Sequence, residues 1–157
     1  MTEMLTALYD SALSTWIRES ESIWAFPTVL TVHTLGMMLL VGCAWVVDLR
    51  LLGVARTVPL GPLRPLFRIM WAAFWINFAT GVLLFIADPE RKATSWLFWS
   101  KMALIVINLP LISRLEKAVF GDNPDPASVS GGARRLAAAS AMLWAGTIFT
   151  GRLLGYM

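Results

Sequence analysis

The 157-residue chain is 57% hydrophobic and 15% charged, with a mean hydropathy of +0.66, whereas soluble domains carry roughly 25% charged residues. This composition points away from an ordinary soluble domain and to one integral membrane domain over residues 1–157. The net charge of +3 and pI of about 9.5 come from basic residues between apolar runs, so they report membrane topology rather than nucleic-acid binding.

In chain order, residues 3–20 place Leu5, Leu8, Ala12 and Trp16 at helical spacing, with Glu3, Asp10 and Glu19 elsewhere. The pattern predicts an amphipathic helix lying on the membrane surface. These residues lack a basic start before an apolar core, so no cleavable signal is expected. Four apolar runs follow, at about residues 24–47, 66–87, 95–113 and 136–156. Each approaches the roughly 20 residues that a bilayer demands of a helix. Period-two alternation is absent, and backbone groups in lipid must be satisfied within the segment, so helices are the spanning form. The expected fold is all-α: a four-transmembrane-helix bundle with an N-terminal amphipathic surface helix. Residues 53–65 carry three prolines and predict a turn-rich loop. Residues 121–132, with Pro124, Pro126 and a Gly-Gly pair, predict the most flexible segment.

Orientation follows from Lys and Arg. The first connection holds Arg50, Arg56, Arg64 and Arg68, and the third holds Arg114, Lys117, Arg134 and Arg135. The opposite side has Arg18, Arg91 and Lys92 diluted by Glu3, Asp10, Glu19, Glu21, Asp88 and Glu90. The bias puts the first and third connections in the cytoplasm and both termini outside. Trp16, Trp24, Trp96 and Trp99 then fall near the outer boundary as an aromatic belt.

That topology brings polar residues from all four spans into the outer half of the bilayer. His33, the single histidine, lies roughly 13 Å in from the outer start of the first span at the helical rise. Asn77 and Thr80 occupy the outer half of the second span, Lys101 the outer part of the third, and Arg152 the outer end of the fourth. An imidazole at that depth needs a partner or a task. It either bonds a neighbouring helix, relays protons, or ligates haem iron, for which neutral imidazole is a common axial ligand. Lys101 and Arg152 either snorkel to the headgroups or clamp an acidic group such as the propionates of haem. Trp144, Met37 and Asn77 are the residues expected to shape such a pocket.

At the cytoplasmic end of the first span, Asp48 is expected to bond a loop arginine, Arg56 or Arg68. Cys43 is alone, which excludes an internal disulfide and a cysteine-built metal cluster; it is expected to pack as a small residue. Ala133, Ala137, Ala141 and Ala145 recur every four residues, and Gly151 and Gly155 repeat the spacing. Small residues permit close helix approach, within the bundle or in a homo-oligomer. Phosphate-binding glycine loops, His-Glu-x-x-His and a Ser-His-Asp set are absent from the sequence, which disfavours a hydrolase.

Residues 33–53, HTLGMMLLVGCAWVVDLRLLG, resemble a family of small bacterial membrane proteins of unknown function. Its members have a first-span histidine, a glycine and then Asp-Leu-Arg-Leu-Leu-Gly. TGVLLF at residues 80–85 and WLFWSKMALIVINL at residues 96–109 extend the likeness. The family pattern often has an acidic residue three positions before the histidine; here that position is Leu30. A fainter likeness is to the four-helix bacterial protoporphyrinogen oxidases and the copper-resistance D family. In the former, a first-span histidine and a third-span lysine are tied to haem and activity, which implies roles for His33 and Lys101. The leading expectation is a haem-b protein taking part in electron transfer at the outer half of the bilayer, working with a redox partner. His33 would be the metal ligand, and Lys101, Arg152, Trp144, Met37 and Asn77 would bind the cofactor. The alternatives are a small transporter or channel with a proton-sensitive His33, and a non-catalytic anchor or assembly subunit.

Overall fold

The computed structural model describes residues 2–121 and 129–156. Among them only helices and turns occur: α1 (Thr2–Tyr9), α2 (Ala12–Glu19), α3 (Phe26–Leu52), α4 (Arg64–Ala87), α5 (Pro89–Thr94), α6 (Trp96–Phe120) and α7 (Gly131–Leu154), with a 3-10 turn at Gly61–Leu63. Most of the segment expected to be most flexible, residues 122–128, lies outside the described residues.

The amphipathic segment differs from its expectation. It is two helices, because Ser11 interrupts the run. The Ser11 hydroxyl accepts from Ser14 N at 3.2 Å as the N-cap of α2 and donates to Leu8 O at 2.7 Å. The break re-aims the apolar stripe. Leu5, Ser14 and Ile17 are buried, whereas Ala12 and Trp16 are exposed. α1 packs on α5, and α2 on α4.

Each long helix exceeds its apolar run. α3 continues five residues past Val47 because Asp48 and Arg50 are compatible with helix. It then stops at Gly53, whose φ of 97° suits a residue without Cβ. Gly53 N bonds Leu49 O and Arg50 O, and Val54 N bonds Leu49 O, which closes the last carbonyls. α6 runs seven residues beyond Ser113 and absorbs Pro110. α7 starts at Gly131, five residues early, because Ser130 caps it by accepting from Ala133 N at 3.1 Å.

The four long helices pack side by side, with α3 against α4, α6 against α7, and α3 against α7 joining the pairs. The shared core includes Leu40, Ala44, Val47 and Leu51 of α3, Phe67 and Met70 of α4, Ile112 and Leu115 of α6, and Ala137 and Trp144 of α7. Cys43 packs in it as a free thiol.

Phe26–Leu52, Gly61–Ala87 and Trp96–Phe120 are long and apolar enough to cross a membrane. Only 22–28% of each apolar window is buried inside the molecule, so most of that apolar surface faces outward, as it does in lipid. Thr28, Thr31, Thr34 and Thr150 all return their hydroxyls to carbonyls of their own chain, four or five residues back, which keeps polar groups satisfied in such surroundings. Trp16, Trp24, Trp96 and Trp99 are all exposed near one end of the bundle. α7 is equally long, but Arg134, Arg135 and Arg152 and its many Ala and Gly residues make it less apolar than the other three.

The alanine row turns out of the core. Ala133 and Ala137 are buried, Ala141 is half-buried and Ala145 is exposed. A spacing of four advances 40° beyond a full turn at 3.6 residues per turn, so the row spirals off the contact. The buried face of α7 is Ala133, Ala137, Ser140, Trp144 and Thr147, an alternation of three and four that stays on one side.

Candidate functional site

His33 sits on the α3–α4 contact in the half of the bundle that carries the exposed tryptophans. Its half-buried ring lies over Gly81, where a Cβ would stand 3.3 Å from Cε1. One turn along α3, Gly36 lets α4 approach; a Cβ there would meet Ala73 O and Asn77 N at 3.5 Å. Of the two glycines, Gly81 is the one that makes room for the imidazole.

The ring is fixed through Nδ1, which lies 3.1 Å from Asn77 O and 3.0 Å from Thr80 Oγ1. A backbone carbonyl only accepts, so Nδ1 carries the proton. The Thr80 hydroxyl points its own hydrogen at Ile76 O, 2.8 Å away, or at Asn77 O, 3.1 Å away, which leaves its lone pairs free for the imidazole. The reciprocal bond runs from Asn77 Nδ2 to His33 O at 2.6 Å. With Nδ1 protonated, Nε2 bears a lone pair. A histidine that ligates a metal characteristically donates its other ring N–H to a carbonyl or carboxylate, and here that carbonyl belongs to Asn77.

The other expected site residues divide. Asn77 bonds the histidine segment directly. Met37 lies one turn deeper on α3 and packs on the core. Lys101 turns inward across α7, where Gly151 clears its path; a Cβ on Gly151 would stand 3.3 Å from Nζ. Lys101 and Lys92 are the cations close enough to interact electrostatically with His33. Arg152 is exposed, and its guanidinium stands 5.4 Å from the ring of Tyr156 on the same turn. The two cations expected to act as a clamp therefore part, Lys101 into the bundle and Arg152 outward as a snorkelling side chain does. Trp144 is fully buried in the core, with Nε1 unpaired. Gly151 serves the Lys101 contact within the chain, and Gly155 lies just past the end of α7.

Two features were not anticipated. Lys92 of α5 reaches back to donate to Leu84 O near the C-terminal end of α4, where a cation is favoured by the helix dipole. Burial lowers its pKa below the ordinary lysine value, an effect partly offset by Asp88. The second is Asp48. It makes no ion pair with Arg56 or Arg68, contrary to expectation: the ion pairs among the described residues are Arg18–Glu19 and Arg91–Asp88. Asp48 is 1% exposed, because α3 continues past Val47 and its register turns residue 48 toward α4, α6 and α7. The signal was present, since Ala44, Asp48 and Leu51 fall on one helical face. Arg56 instead lies against Gly53.

No family model, curated protein or solved structure matches this chain.

Proposed function

We propose that the chain is a four-span inner-membrane protein that binds haem b through His33 and takes part in electron transfer at the outer side. In this reading α7 crosses the membrane with the three more apolar helices, and both termini lie outside. The packing of α7 between α3 and α6 and the arginines and lysines of the first and third connections support that topology.

One observation carries the haem assignment: the donor arrangement at Nδ1 leaves Nε2 as a free lone pair. Among the described residues no cluster of three or more His, Cys, Asp or Glu could hold a bare metal ion. A metal at His33 would therefore come inside a prosthetic group whose ring supplies the remaining donors. Haem supplies one-electron chemistry when bound. Asn77 and Thr80 orient the imidazole and fix its tautomer, and Lys101 offers an ammonium to a propionate. Arg152, at the outer end of α7, is free to meet a second acidic group or a headgroup. Met37 and Trp144 line the interior beneath.

The test is an absorption spectrum of detergent-purified protein, oxidised and reduced, with iron content. A Soret band that His33→Ala abolishes and Arg152→Ala leaves in place is the expected result. A colourless, iron-free preparation that takes up no added haemin refutes the assignment.

A further inference from the structure

Asp48 is the most deeply buried carboxylate among the described residues, and neither of its oxygens has a hydrogen-bond partner. It forms the α3 side of a cavity of about 10 Å³. α4 contributes Phe67 and Met70 to the wall, α6 contributes Ile112 and Leu115, and α7 contributes Ser140. None of these side chains carries charge, and the other α3 residues on the wall, Ala44 and Val47, are aliphatic. The arginines expected to neutralise Asp48 make no ion pair with it among the described residues. Ser140, itself 1% exposed, is the one polar side chain of the wall that faces the carboxylate.

An ionised carboxylate there would keep its full charge among hydrocarbon and thioether groups with no cation to balance it, and such burial is heavily penalised. A metal ion does not relieve the penalty, because Asp48 and Ser140 offer at most three oxygens. A proton does. Bound to one carboxylate oxygen, it removes the charge and turns the other oxygen into a neutral acceptor. The Ser140 hydroxyl donates to that acceptor and keeps lone pairs for the acid O–H. One proton from solvent and one hydroxyl from α7 therefore satisfy the pair. Because the hydroxyl arrives only with α7, proton binding at Asp48 and docking of α7 favour each other.

We propose that Asp48 is a proton-binding site of the folded chain: at neutral pH it holds one proton, accepts a hydrogen bond from Ser140, and so couples that proton to the packing of α7 on α3. In an unfolded chain an aspartate gives up its proton at about pH 3.9. Folding at neutral pH therefore takes a proton up, and a rise in pH weakens the docked state. The site is separate from His33 and does not depend on what that residue binds.

The test uses the full-length protein in detergent. Infrared spectra at neutral pH are expected to show the carbonyl stretch of a protonated carboxylic acid that shifts in heavy water and is missing in Asp48→Asn. Wild-type chain labelled with carbon-13 at the aspartate carboxyls should move the same band, an assignment that needs no variant. Ser140→Ala should keep the band and raise its frequency, as loss of a hydrogen bond to the carbonyl does. In thermal melts from about pH 5 upward, the wild type should lose roughly 3 to 5 °C per pH unit relative to Asp48→Asn, until the folded chain itself releases the proton. Absence of an aspartate-sensitive band overturns the proposal, because Asp48 is then ionised in the folded chain. So do parallel melting profiles of wild type and Asp48→Asn, since the proton would then be indifferent to folding. An unmoved band in Ser140→Ala overturns the coupling to α7.

Discussion

Asn77 ties α4 to α3 by a bond from its amide to the backbone carbonyl of His33, and the geometry sets what its replacement should cost. Asn77→Ala removes the Nδ2 donor 2.6 Å from His33 O. In membrane bundles such interhelical bonds average about 0.6 kcal/mol and reach about 1.7 kcal/mol. The amide is also 8% exposed at a tight contact with Gly36, so its removal leaves a small void that adds to the loss. A total of about 1 to 2 kcal/mol follows, or a fall in melting temperature of about 2 to 8 °C for a chain of this size. Asn77→Asp is the sharper perturbation. It keeps the shape and puts an oxygen where the donor stood, so two acceptors face each other, or a proton must first be taken up. Aspartate should therefore cost more than alanine. Thermal melts in detergent, followed by far-UV circular dichroism and tryptophan fluorescence, measure both. An aspartate variant as stable as wild type, or more stable than the alanine variant, would show that the amide does not donate across the helices.

Other outcomes follow from the same reasoning. Asn108 is fully buried, with both amide atoms unpaired; Asn108→Leu should raise the melting temperature by several degrees, because an unsatisfied buried amide costs about 1–3 kcal/mol. Trp144→Phe, which deletes an unpaired indole N–H but keeps an aromatic ring, should destabilise far less than Trp144→Ala, for which about 3–5 kcal/mol is typical; denaturant melts rank the two. Lys92 has its pKa lowered by burial from 10.5, so the unfolded state binds its proton more tightly than the folded state does. Stability should consequently increase with pH between the lowered value and 10.5, and Lys92→Met should flatten that slope in melts across the window. A flat wild-type profile would contradict the burial of Lys92.

Much of the architecture was legible because hydropathy and helix length are local properties. Three of the four apolar runs coincide with helices that satisfy a membrane-crossing length and composition, and the fourth coincides with α7. Helix ends were less legible. Ser130 and Gly53 act through cap geometry that apolarity does not register, and Asp48 and Arg50 extend α3 although they end its apolar run. The N-terminal segment misled for a related reason: one serine hydroxyl at position 11 rotates the stripe, so Ile17 is buried and Trp16 is exposed. At the site, the neighbourhood of His33 with Asn77 and Thr80 was readable from depth alone, since antiparallel helices bring equal depths together. The direction of Arg152 was not, because depth gives no azimuth around a helix. The burial of Asp48 was overlooked because arginines close in sequence offered a nearer explanation than a helix more than ninety residues away.

The long helices form two antiparallel pairs held together largely through the contact of α3 with α7, while α4 and α6 meet only sparsely. The carboxylate at position 48 belongs to the first pair, yet part of its cover comes from the second, through Ile112 and Leu115 of α6 and Ser140 of α7. Truncation before residue 131 should therefore leave three long helices with Asp48 uncovered on the side of Ser140, and the C-terminal helix acts as the clasp of the assembly.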